Sequence, residues 1–154
     1  MGFFSHKKKT EHTPKSWKIK RECLSLIFEC AKSNFPNEFG GLLRVDDENK
    51  DTIIEVVILP GTVSGDSHAI FQMHMRPIDF SIIGTVHSHP SPFAQPSDAD
   101  LHLFGKYGKI HIISASPFNE ESWKAYDYSG KEVIVEICKI CFFRFCSIDG
   151  VFTF

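Results

Sequence analysis

Two histidines one residue apart, in the run His87-Ser88-His89-Pro90, are the first feature of the sequence able to do chemistry. A mostly apolar stretch, Phe80 to Val86, leads straight into them and predicts a strand buried on both faces. Side chains at i and i+2 leave a strand on the same face, so both imidazoles can reach one point. That is two-thirds of a catalytic zinc site, which takes three protein ligands and leaves one position for water. A carboxylate commonly completes such a pair, and Asp100 offers one in the first turn of the next predicted helix. Pro90, Pro92 and Pro96 stiffen the intervening loop, which would bring that helix end back toward the strand end. Ser97-Asp98-Ala99-Asp100 also has a second account. Ser97 as N-cap with an acid at N3 fits a capping box, which explains both residues without a metal. Cap and ligand coexist on this reading only if Asp100 turns away from the Ser97 amide. A His-x-His pair alone does not require a metal.

The elements that must position these residues are readable from periodicity. Ile19, Cys23, Leu26, Ile27, Cys30 and Ala31 recur at helical spacing, and Asn34-Phe35-Pro36 stops the helix. Gly40 to Val45 predicts a short strand, Asp46 to Lys50 a hairpin-type turn, and the Ile/Val-rich run Thr52 to Leu59 a second strand. A further strand is expected at Ala69 to Met73. Beyond the proline loop, a helix from Ser97 carries Leu101, Phe104 and Tyr107 and ends at Gly108. Ile110 to Ser114, Trp123 to Asp127 and Glu132 to Ile137 predict three more strands. This order points to an α+β domain, a mixed sheet flanked by helices.

At 154 residues the chain suits one domain with short tails. Hydrophobic residues at 42% and charged residues at 23% are ordinary for a globular protein, and fifteen Phe imply a bulky core. A net charge of -2 gives no general pull toward nucleic acid; Lys7-Lys8-Lys9 reads as part of a flexible basic arm over residues 1–16. No apolar run is long enough for a transmembrane helix. The N-terminus resembles no signal peptide, and His6 stands where N-myristoylation wants Ser or Thr. Five cysteines without a secretion signal read as reduced thiols, so a cytoplasmic location is expected. Cys138-x-x-Cys141 has no second pair to make a zinc ribbon, and His68, His74, His102 and His111 have no partner spacing. Trp17 and Trp123 read as core or core-rim aromatics.

Taken whole, His87-Ser88-His89, the seven residues Pro90 to Pro96 and Ser97-Asp98-Ala99-Asp100 match the signature of the JAMM/MPN-plus metalloproteases at every fixed position. That family also places a glutamate upstream in Pro-x-Glu-x-x-Gly-x-Leu, which Pro36-Asn37-Glu38-Phe39-Gly40-Gly41-Leu42-Leu43 matches in full. The chain resembles the compact prokaryotic and archaeal single-domain members over residues 17–137, and the apolar segment 138–154 departs from them. The resemblance implies a curved mixed sheet with a Zn²⁺ site at one edge. It assigns His87, His89 and Asp100 as metal ligands, Glu38 as catalytic acid/base and Ser97 as oxyanion donor. It further implies an isopeptidase acting after the C-terminal Gly-Gly of a ubiquitin-like protein or its lysine conjugates. A hydrolase trimming a ubiquitin-like sulfur carrier is the alternative, and a non-catalytic MPN scaffold stands behind both.

Overall fold

Short runs of β-branched and aromatic residues alternate with two amphipathic stretches, and the chain folds accordingly. The computed structural model describes residues 16–58 and 79–138. In chain order these form β1 (Trp17–Lys20), α1 (Arg21–Asn34), β2 (Gly40–Val45), β3 (Thr52–Val57), β4 (Ile82–His89), α2 (Asp98–Lys106), β5 (Ile110–Ala115), β6 (Trp123–Asp127), β7 (Glu132–Val133) and β8 (Val135–Cys138). The strands make one mixed sheet in the order β7-β6-β5-β4-β2-β3-β1-β8. β4 lies inside it, antiparallel to β2 and parallel to β5. β7 and β8 occupy opposite edges of the sheet, yet only Ile134 separates them in the chain. The sheet must therefore curl until its two edges come side by side.

Each helix covers a different face of β4 and β5. Leu24, Ile27, Phe28 and Ala31 of α1 pack with Val86, Ile110 and Ile112. On the other face Phe104 of α2 packs with Ile113, Ala115, Tyr126 and Ala94. The period of two along paired strands enforces this split: Thr85 lies beside His111 and Val86 beside Ile112. His111 is fully buried on the α2 side, stacked on Phe104 with ring centroids 4.1 Å apart. Its Nδ1 shares a 2.8 Å hydrogen bond with Thr85 Oγ1. Burial and then the neighbouring His87 push its pKa down to about 4, outweighing Asp127 and the Phe104 carbonyl, which favour the proton.

The mixed sheet with flanking helices is the expected α+β architecture. β2 and β6 fall where the sequence places them, and β4 is nearly buried throughout. Three local expectations are corrected. Ile19 belongs, with the buried Trp17, to a strand and not to the first helix, because β1 finds partners in β3 and β8 that are remote in sequence. Phe80 is 93% exposed and precedes β4, since the turn through Asp79 and Ser81 delays the strand to Ile82. The single strand read at Glu132 to Ile137 is two, because it leaves one edge of the sheet and joins the other. Residues 1–15 of the arm, the strand expected at Ala69 to Met73 and nearly all of the 138–154 extension lie outside the described residues.

At Gly84 the backbone of β5 leaves no room for a side chain: a Cβ there would stand 1.6 Å from the Ile110 carbonyl oxygen. That obstacle is backbone and has no rotamer to escape into. Gly84→Ala should lower stability by at least about 3 kcal/mol, read as a drop in the urea midpoint. A midpoint within error of wild type would contradict the close approach.

His111 gives a second measurement. Its folded pKa lies below the unfolded value, so the unfolded chain binds the proton first. The stability is present above about pH 6.5 and is lost as pH falls toward about 4, by up to roughly 3 kcal/mol. Melting temperatures of chelator-treated wild type should therefore fall over this range more steeply than those of His111→Phe. Equal slopes would mean that His111 is not held neutral.

Candidate metal centre

β4 delivers the two histidines as alternation requires. His87 and His89 leave the strand on the α2 face, and their Nε2 atoms stand 3.1 Å apart. Asp100 arrives from the first turn of α2, with Oδ1 3.1 Å from His87 Nε2 and Oδ2 3.4 Å from His89 Nε2. One donor atom from each residue lies within 4.8 Å of the others. His87 is buried; His89 and Asp100 are partly exposed.

The surroundings fix which atoms face the centre. The Phe93 carbonyl can only accept, so His89 Nδ1 donates the proton in their 3.1 Å hydrogen bond. In a neutral imidazole this leaves the Nε2 lone pair aimed at the cluster. His87 Nδ1 is buried and makes no hydrogen bond among the described residues. Tyr126 donates from its hydroxyl to the Ala94 carbonyl at 2.6 Å, so the proline loop is tied at two consecutive carbonyls. Ser116 N–H reaches the His89 and Ser91 carbonyls and holds the strand end from the other side.

The capping box at the start of α2 is present and does not compete with the cluster. Ser97 Oγ accepts from the Asp100 N–H at 3.2 Å, while the Ser97 N–H and hydroxyl both donate to Asp100 Oδ2 at 2.7 Å. The same carboxylate faces both histidines. Cap and cluster therefore do not exclude each other, because a carboxylate has lone pairs enough for both. Burial would raise the Asp100 pKa, but the adjacent His87 and His89 imidazoles and the Ser97 hydroxyl hold it far below the usual carboxylate range. Burial would likewise lower the His89 pKa; Asp100, the Phe93 carbonyl and the charge of Glu38 reverse that and raise it.

Glu38 comes from the segment before β2. Gly40 is paired with His87, and continuing that register places Glu38 across from His89. It is partly buried, and its charge acts on the His89 imidazole. The structure thus gathers His87, His89, Asp100, Ser97 and Glu38 in one neighbourhood. His102 lies exposed on α2, and His68 and His74 fall outside the described residues. Sequence reasoning passed over Thr85–His111, Tyr126–Ala94 and Ser88–Phe39. Each pair joins residues remote in the chain, so no local pattern announces it.

Two imidazole nitrogens and an anionic carboxylate gathered this closely require a cation or a proton between them. Their separations of 3.1, 3.1 and 3.4 Å are close to the edge of about 3.3 Å of a tetrahedron with zinc-like bond lengths. The donor set therefore fits a divalent metal of the zinc type.

Comparison with known proteins agrees. Residues 20–127 match the model of the prokaryotic homologs of the JAB domain. A protein of Haloferax volcanii named "Probable metalloprotease" is 38% identical over 120 residues, covering 73% of this chain and 74% of its own. A structure described as "JAMM: A Metalloprotease-like Zinc Site in the Proteasome and Signalosome" aligns at TM-score 0.63 with 40% identity. It covers 80% of this chain and 99% of its own. A JAB1/MPN domain protein from Archaeoglobus fulgidus aligns at TM-score 0.64 with 41% identity, covering 79% and 99% respectively. By its matched segment and these relatives, the chain belongs to the prokaryotic JAB family, within the JAMM/MPN group.

Proposed function

We propose that the chain is a zinc-dependent metallo-isopeptidase that hydrolyses the bond after the C-terminal Gly-Gly of a ubiquitin-like modifier. The observation that carries this reading is the convergence of His87, His89 and Asp100 with Glu38 at the open end of the β2–β4 pair. His87 and His89 would bind through Nε2 and Asp100 through its carboxylate. A zinc ion so held supplies Lewis acidity, polarising the scissile carbonyl and lowering the pKa of a water to about 7. Glu38 takes the proton of the attacking water and later passes it to the departing amine, base first and acid second. Ser97 turns its hydroxyl proton from Asp100 toward the oxyanion of the tetrahedral intermediate, keeping the Asp100 N–H as its own donor.

Access supports this substrate class. The His87, His89 and Asp100 side chains are 4, 15 and 16% exposed, so a scissile bond would have to reach donors that the fold largely covers. A tail of two glycines has no side chains to obstruct that approach.

Purified protein should carry close to one zinc per chain, and His87→Ala or Asp100→Ala should lose it. The zinc form should cleave a peptide whose C-terminal Gly-Gly is joined to a lysine ε-amine, and a chelator should stop the reaction. Glu38→Gln should keep the metal yet lose turnover by about 10²–10⁴-fold. Wild type without a transition metal would sink this reading. Cleavage confined to linear extensions after Gly-Gly would redirect it to the processing of a sulfur-carrier protein.

Ser97→Ala separates the roles of cap and oxyanion donor. The cap alone predicts a loss of about 0.5–2 kcal/mol with kcat unchanged. The oxyanion role predicts a fall in kcat of roughly 10²–10³-fold with KM little moved. Both losses are expected together. A variant that melts early yet turns over normally would remove Ser97 from the catalytic set.

A further inference from the structure

Ser88 stands between the two histidines, but strand alternation turns its side chain to the opposite face of β4. It is buried there and contributes nothing to the cluster. Its N–H donates to the Phe39 carbonyl at 2.9 Å, one half of the double rung that a hydrogen-bonded antiparallel pair exchanges. The reciprocal half goes elsewhere. The Phe39 N–H donates at 2.8 Å to Ser88 Oγ, so this rung is completed by a side chain instead of a main-chain carbonyl.

The substitution falls immediately beside Glu38. No side-chain hydrogen bond holds the Glu38 carboxylate among the described residues, so its place depends on the main chain around it. On one side Asn37 N–H donates to the Asn34 carbonyl at 2.8 Å, and on the other Phe39 is held by Ser88. Phe39 itself is buried in the α1 core, which anchors the far side of the rung. A hydroxyl oxygen carried on Cβ lies off the line of the main-chain carbonyls. Accepting the Phe39 N–H there sets the direction in which the chain leaves the ladder at residue 38.

We propose that Ser88 is the positioning residue for Glu38, fixing the approach of that carboxylate to the metal-ligand cluster through the Phe39 N–H···Oγ hydrogen bond. This rests on the reading of Glu38 as the proton carrier. Ser88 acts through the backbone and touches neither metal nor substrate. One tripeptide, His87-Ser88-His89, thereby provides two ligand candidates on one face and the anchor of the acid/base on the other.

The test compares Ser88→Ala and Ser88→Thr in the zinc-loaded full chain. Ser88→Ala should keep one metal per chain, exchange the Phe39 amide hydrogen at least about tenfold faster, and cut kcat on the Gly-Gly-lysine peptide by about 10–100-fold with KM nearly fixed. Ser88→Thr keeps the acceptor and should restore both readings. Adding Glu38→Gln to Ser88→Ala should cost no more than Glu38→Gln alone, because both changes disable one device. If Ser88→Ala fails to fold, Ser88→Cys preserves volume with a weaker acceptor and should show the same effects in smaller degree. A freed Phe39 amide with unchanged kcat overturns the proposal, as does a Phe39 amide unprotected in wild type. Should loaded wild type not cleave the peptide, the functional reading fails separately. The Co²⁺-substituted forms then decide the anchor: Ser88→Ala and Glu38→Gln should perturb the visible spectrum alike, and unlike changes overturn it.

Discussion

The antiparallel pairing of β2 with β4, with Gly40 set against His87, is the constraint on which the rest of the site depends. Side chains alternate with a period of two, so this register decides which residues face the cluster and which face α1. A slip of one residue would turn His87 and His89 into the α1 core and bring Ser88 to the cluster. Several features hold the register. Val86 and Ile112 are fully buried against α1, Gly84 lets β5 approach closely, and the Ser88–Phe39 contacts fasten the open end. The energy that fixes the histidines comes mainly from apolar burial on the opposite face of the strand.

Asp100 shows how the same economy serves the third donor. The first turn of a helix leaves N–H groups without partners and favours negative charge. A carboxylate at N3 is therefore oriented by the fold itself. The Ser97 N–H and hydroxyl hold Oδ2, leaving Oδ1 directed at His87. Metal sites in general need their ligands preorganised, because disorder in any one weakens both affinity and geometry. The capping box supplies that order through elementary helix chemistry.

Much of this was legible in the sequence because the decisive features are local. The His-x-His spacing needs only the strand period, and the capping box only the helix period; both appear as read. The strand boundaries of β2 and β6 follow from composition. What stayed hidden is nonlocal. Trp17 and Ile19 fit a strand or a helix start equally well until β8, more than a hundred residues away, is seen beside them. Phe80 continues an apolar run but is turned outward by the Asp79 side chain, which accepts from Ser81. His111 looked unpartnered in the sequence, because its partner Thr85 lies on another strand. The cap also coexists with the approach of Asp100 to both histidines, for a chemical reason: one carboxylate has two oxygens and can meet both demands.

The loop Pro90–Pro96 links these two halves. Its prolines limit the conformations it must lose on folding, which lowers the entropic cost of ordering it. The remaining freedom is removed at Phe93 by His89 and at Ala94 by Tyr126, whose ring packs with Phe104 of α2. Phe104 in turn stacks on the buried His111 and lies 6.4 Å from His87. Strand, loop and helix are thus joined through a single aromatic cluster directly beneath the donor atoms. Displacing α2 would strain the Tyr126–Ala94 bond, move the Phe93 carbonyl and free the tautomer of His89. The position of Asp100 and the protonation pattern of His89 are consequently one structural variable, set by packing rather than by a separate contact for each.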